Sequence, residues 1–195
     1  MLDLPGGQNP TRLVGLIAYL LSATCCSIAS AASRWKSRRT HLAAVLALLE
    51  AGFLLDMVFS VRWQLHDLME GQAIRENMYV QRSGPQLAAL GLLGAAAAAG
   101  MVLAFQRLRG RTGATVAVFG AILSFICWCT EVISLHETDK VLHYTVNGVM
   151  LVSLCWLAFS LMTGLGILWD VRSSYSDVRK GAVIFGKPPS SVKGS

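Results

Sequence analysis

The chain has 195 residues, of which 54% are apolar and only 14% charged, and its mean hydropathy is +0.53. A soluble domain carries roughly 25% charge, so these side chains cannot coat a water-facing surface, and secreted, disordered and ordinary cytosolic enzyme classes are excluded together. The net charge of +6 is too thinly spread for nucleic-acid binding and needs a topological explanation.

A helix needs about 20 mostly apolar residues to cross the hydrocarbon layer. Five such runs occur, over 13–33, 42–61, 87–105, 113–135 and 144–169, and they predict an all-α, polytopic helical bundle over residues 1–171. The first run has the length of a signal-peptide core, but Arg34, Lys36, Arg38 and Arg39 follow it as a stop-transfer cluster, so it is expected to remain as a span. Residues 1–11, with Pro5, Gly6, Gly7 and Pro10, read as an irregular arm. Between the second and third runs, Leu65, Leu68, Met69, Ile74 and Met78 recur at mostly helical spacing. They predict a short amphipathic helix on the membrane surface or the bundle, ended by Ser83-Gly84-Pro85. Residues 172–195 read as a flexible, basic, cytoplasmic tail.

Lys and Arg collect on the cytoplasmic side of short loops. With Arg34 to Arg39 inside, the Arg107 to Arg111 loop and the tail also fall inside, giving 12 basic residues against five outside. The expected orientation is therefore an outer amino terminus and a cytoplasmic carboxyl terminus, in the cell membrane.

The third run, with Gly91, Gly94, five consecutive alanines and Gly100, has no hydrogen-bonding side chain between Leu87 and Phe105. Small residues let helix backbones approach closely in lipid, so this helix is expected to sit in close contact with its neighbours. In the fourth run, Gly120, Ser124, Cys127 and Glu131 fall on one helical stripe. That stripe must face protein, because a carboxylate turned to lipid costs several kcal/mol.

Ionisable residues inside a membrane span are functional candidates by default. At about 1.5 Å per residue, Glu50 lies ~13 Å from the inner face, near mid-membrane. Asp56, Arg62 and Glu131 lie towards the outer end, with His136, Glu137, Asp139 and His143 in the following loop. Glu50, Asp56 and Arg62 are spaced by six, so on one continuous helix each points about 120° from the last and they cannot share a partner. Glu131 is at the right depth to neutralise Arg62, lipid headgroups being the alternative. The candidate polar cluster is thus Glu50, Asp56, Arg62, Glu131, His136, Asp139 and His143.

His136, His143 and Glu131 are suitable donors for zinc or iron, although their spacing follows no defined metal motif. No sequence feature names a cofactor, and the five Cys are separated in depth and read as packing residues. No Walker loop, nucleophile elbow, HExxH or dinucleotide fingerprint occurs. Asp139-Lys140-Val141-Leu142-His143, opening an apolar helix, resembles the DKxxH element at a helix entrance in VanZ-like membrane proteins. The resemblance extends only over the apolar turns that follow, and it adds weight to Asp139 and His143.

With short loops and no reaction motif, the favoured reading is a non-catalytic membrane protein, an accessory or structural subunit that packs against other membrane proteins or itself. The alternative is a membrane-embedded site near the outer face for a cation, proton, quinone or lipid headgroup, in a redox protein, enzyme or small transporter.

Overall fold

The computed structural model describes residues 10–33, 37–76, 83–133, 136–146 and 148–185. It is an all-α bundle containing five helices long and apolar enough to span a membrane. The chain opens with two of these spans, α1 (Pro10–Ala32) and α2 (Ser37–Phe59), followed by α3 (Val61–Arg75), too short to be one, and by two more spans, α4 (Ser83–Arg107) and α5 (Thr112–Ile133). Then come the short α6 (His136–Leu142), strands β1 (Thr145–Val146) and β2 (Val149–Met150), and α7 (Leu151–Phe185). The α3, α6 and hairpin segments all lie at one end of the bundle, called here the α3 end.

The spanning helices are runs of Leu, Ala, Val and Ile, whose own backbones satisfy every N–H and C=O that lipid cannot. Their breaks have local causes. Gly110, at φ 84°, turns the chain between α4 and α5. Ser60 adopts a left-handed conformation, φ 56° and ψ 38°, and separates α2 from α3.

The fifth span begins later than its hydropathy suggests. Residues from Tyr144 form an antiparallel hairpin, pairing Thr145 with Met150 and Val146 with Val149, and the helix starts only at Leu151. The Thr11 hydroxyl accepts the Met150 N–H at 3.1 Å and ties the hairpin to the first turn of α1. At the other end α7 continues to Phe185, through residues expected to open the tail.

The main interfaces join α5 to α7, α1 to α2 and α1 to α7. Towards the end opposite α3 the core is built from Cys26, Ala29, Ala43, Leu46, Ala117, Ala121 and Ile167; towards the α3 end, from Tyr19, Phe53, Met57, Cys127, Val152 and Trp156. Close backbone approach occurs between α5 and α7. A Cβ added at Gly166 would meet the Ala117 nitrogen at 2.6 Å, and one added at Gly120 would meet the Phe159 oxygen at 2.6 Å. Beyond this seam Arg111 grips Asp170 through Nε at 3.2 Å and Nη2 at 2.6 Å.

Two expectations are corrected. The alanine-rich helix α4 is not enclosed by neighbours: it packs mainly on α5, and Ala97 is its one buried residue. Gly91 and Gly94 have no atom within 4 Å of an added Cβ. Small side chains permit close approach but exert no pull of their own. The second correction concerns α3, expected on the membrane surface or the bundle: the side that meets the bundle is polar, not apolar. Leu68, Met69 and Ile74 are exposed, while Arg62 is buried and His66 and Glu70 are half-buried. The bundle attracts this helix through hydrogen bonds and charge, as described next. Ser83-Gly84-Pro85 opens α4, and α3 ends at Arg75, where the Glu76 N–H closes on the Gln72 and Ile74 carbonyls.

Candidate functional site

The site forms at the α3 end because the Ser60 break redirects the chain. On a continuous helix Asp56 and Arg62 would diverge; the left-handed residue between them folds α3 back so that they meet. Asp56 Oδ1 accepts the Arg62 backbone N–H at 2.7 Å, capping a helix whose own cap residue Ser60 makes no side-chain bond. A carboxylate here also faces the positive end of the α3 dipole. Asp56 Oδ2 takes the Arg62 side chain at 2.6 Å.

The same guanidinium reaches across to α5, donating from Nη1 to Glu131 Oε2 at 2.7 Å. The other Glu131 oxygen accepts the Trp156 indole N–H of α7 at 2.9 Å. The Arg62 guanidinium carbon lies 4.7 Å from the centroid of the Trp156 ring, and Nη2 is 3.0 Å from Met57 Sδ. Asp56, Arg62 and Glu131 are each at most 6% exposed. Burial opposes the Arg62 charge, but Glu131 and Asp56 outweigh it and push its pKa above the ordinary value, so the side chain is cationic. The trio has two carboxylates against one guanidinium. Ionised throughout, it carries a surplus negative charge.

This network forms part of the wall of a cavity of about 360 Å³, completed by Thr11, Arg12, Ser60, Trp63, His143 and Met150. Arg12 occupies the start of α1, donating to the carbonyls of Met57 at 3.0 Å and Val58 at 2.6 Å, which end α2. The half-buried His143 ring stacks on Trp63, centroids 6.3 Å apart and planes 27° apart. With Arg12 counted, the cavity wall holds two carboxylates and two guanidinium groups beside aromatic surface.

Of the predicted cluster, Asp56, Arg62, Glu131 and His143 line this cavity. Glu50 is fully buried, one to two turns deeper in α2, and is not part of it. His136 and Asp139 belong to α6, but their side chains lie outside the described residues. For a metal, Glu131 has both oxygens engaged, by Arg62 and Trp156. Among the described residues the donors that cluster are His66, Asp67 and Glu70, with ligand atoms within 4.8 Å of one another. These share one turn of α3 in which only Asp67 is exposed, and His66 also contacts Glu70 at 3.8 Å. Sequence reasoning missed Thr11, Arg12, Trp63 and Trp156. The depth match that singles out Glu131 also reaches Trp156, which lies less than two turns into α7.

No protein-family model, curated protein or solved structure matches this chain.

Proposed function

We propose that the protein is a membrane-embedded binding protein whose cavity at the α3 end takes the polar head of a zwitterionic phospholipid. One observation carries this reading: Arg62, Asp56 and Glu131, drawn from three helical segments, are buried together in the wall of an open cavity at a helix end. A wall with two carboxylates and two guanidinium groups suits a headgroup that itself carries both charges: Trp63 and Trp156 add aromatic surface of the kind that attracts organic cations, and Arg12 supplies a partner for phosphate. The positive-inside distribution supports an orientation with the amino terminus and this cavity on the outer side of the membrane, which in this reading is the cell membrane.

The test is native mass spectrometry of the purified chain titrated with phosphatidylethanolamine or phosphatidylglycerol. The expected result is preferential retention of phosphatidylethanolamine, weakened about tenfold in Trp63→Ala, a loss equivalent to roughly 1.4 kcal/mol. Equal retention of both lipids, unchanged in the variant, would sink the reading.

A second reading, an accessory subunit, is favoured by α4, whose Gly91, Gly94, Ala95, Ala98 and Ala99 are exposed along a helix that meets mainly α5. Such a surface lets another transmembrane helix, from a partner subunit or a second copy, approach closely. Gly94→Leu and Ala99→Leu would then abolish co-purification of the partner or the self-associated species in mild detergent. Unchanged assembly in both variants removes this reading and leaves the cavity untouched.

A further inference from the structure

Glu50 is separate from the cavity and has a different environment. It is 0% exposed, in the middle of α2, and no basic side chain is among the groups that act on it. The side chains facing its carboxyl are hydroxyls from two other helices: Ser22 of α1, and Ser160 and Thr163 of α7. They lie close, yet among the described residues neither Glu50 oxygen makes a hydrogen bond, and the Ser22 and Ser160 hydroxyls make none. Ser22 is 2% exposed and Ser160 and Thr163 are 0% exposed.

Thr163 makes the arrangement more specific. Its single hydroxyl proton is directed to the Phe159 carbonyl at 3.0 Å, so what it can offer Glu50 is a lone pair. A carboxylate facing an oxygen lone pair in a dry interior is repulsive unless positive charge lies between them. Serine hydroxyls can turn either way, and here they are committed to neither.

We propose that Glu50, Ser22, Ser160 and Thr163 form a mid-membrane binding site for a small monovalent cation, sodium being the probe. The site brings together two carboxyl oxygens and three hydroxyl oxygens, donors suited to a hard cation. One negative charge with neutral hydroxyls is balanced by a single positive charge. A divalent ion would leave net charge in a region where uncompensated charge is heavily penalised. A proton on Glu50 satisfies the same charge balance, so sodium and a proton compete for the position. Tyr19, buried at 1% exposure and one turn before Ser22 in α1, packs with Phe53, Met57 and Trp156, between this site and the α3 end.

The experiment is thermal unfolding of the purified full chain in detergent, with sodium chloride replaced stepwise by caesium chloride, whose cation is larger and is no headgroup mimic, at constant ionic strength. A ligand that binds only the folded state raises the midpoint as its concentration exceeds its Kd. The wild-type midpoint should rise with sodium, and Ser160→Ala, which keeps the carboxylate, should need on the order of tenfold more sodium for the same rise. Glu50→Gln should show no sodium dependence. A wild-type midpoint identical in sodium and caesium would overturn the proposal and leave Glu50 as a proton-bearing acid. So would a sodium response that is the same in the wild type, Ser160→Ala and Glu50→Gln, because sodium would then act elsewhere.

Discussion

Arg62→Ala should lower the unfolding midpoint of the purified protein by on the order of 10 °C, the shift for roughly 3–5 kcal/mol in a chain of this size. The substitution leaves Asp56 and Glu131 buried with no cation between them and removes the guanidinium that sits over Trp156. It also frees α3, whose inward side is held by Arg62 and, less tightly, by the His66 contact to the Val132 carbonyl at 3.3 Å. Glu131→Gln should cost less, because the glutamine oxygen can still accept the Trp156 N–H and Arg62 keeps Asp56. Replacing all three charges at once, as Asp56→Leu, Arg62→Met and Glu131→Leu, should recover much of the lost stability, since a buried ion network is often no more stabilising than apolar groups of similar volume. The triple variant should nevertheless fail to retain phosphatidylethanolamine. Stability and lipid retention that fell and recovered together would assign the network a structural role alone.

The same glycine-to-alanine change should have opposite signs in two helices. At Gly166 the added Cβ would lie 2.6 Å from the Ala117 nitrogen, 2.9 Å from the Gly113 oxygen and 3.0 Å from the Ala117 Cα. All three are backbone atoms, so α5 and α7 must separate, at a cost of about 3 kcal/mol. Separation also loosens Asp170, whose backbone nitrogen sits 2.5 Å from where a Gly113 Cβ would be and whose carboxylate holds Arg111. At Gly94 nothing lies within 4 Å, and Ala should be neutral or stabilising by up to ~1 kcal/mol through helix propensity. Unfolding midpoints of the two variants under identical conditions check the pair. A destabilised Gly94→Ala together with an unaffected Gly166→Ala would mean that α4, not the α5–α7 seam, is the closely packed element.

The contrast explains what was legible in the sequence. Spans were visible because hydropathy over a whole helix is a sum, insensitive to detail. The stripe of Gly120, Ser124, Cys127 and Glu131 was visible because helical periodicity fixes direction, and all four are buried. The pairing of Arg62 with Glu131 followed from depth alone, which two ends of one slab must share. Asp56 was not legible as their partner. Its angle to Arg62 depends on whether the helix continues, and a single left-handed serine at position 60 decides that.

The hairpin was hidden by averaging: Thr145, Val146, Val149 and Met150 are apolar enough to merge with α7. The signal was nevertheless present, since Asn147-Gly148 between β-branched residues is the dipeptide that two-residue hairpin turns favour, and Gly148 takes φ 79°. Composition misled at α4 because small residues remove an obstacle to contact without creating an attraction. The glycines that do meet a neighbouring backbone, Gly113 and Gly120 of α5 and Gly164 and Gly166 of α7, stand apart from any small-residue run of the length seen in α4. Trp156 and Arg12 escaped notice because residues near helix ends are common in membrane proteins, and their roles depend on which other ends lie beside them.

The claim that the α3-end cavity receives a zwitterionic headgroup is tested most directly by hydrogen–deuterium exchange in nanodiscs. Discs of phosphatidylglycerol alone are compared with discs containing phosphatidylethanolamine. The account predicts slower exchange in the second set at residues 60–65, where α3 starts, and at the hairpin around Gly148 to Met150, with α4 unchanged as an internal reference. Identical exchange at those segments in the two bilayers would contradict it.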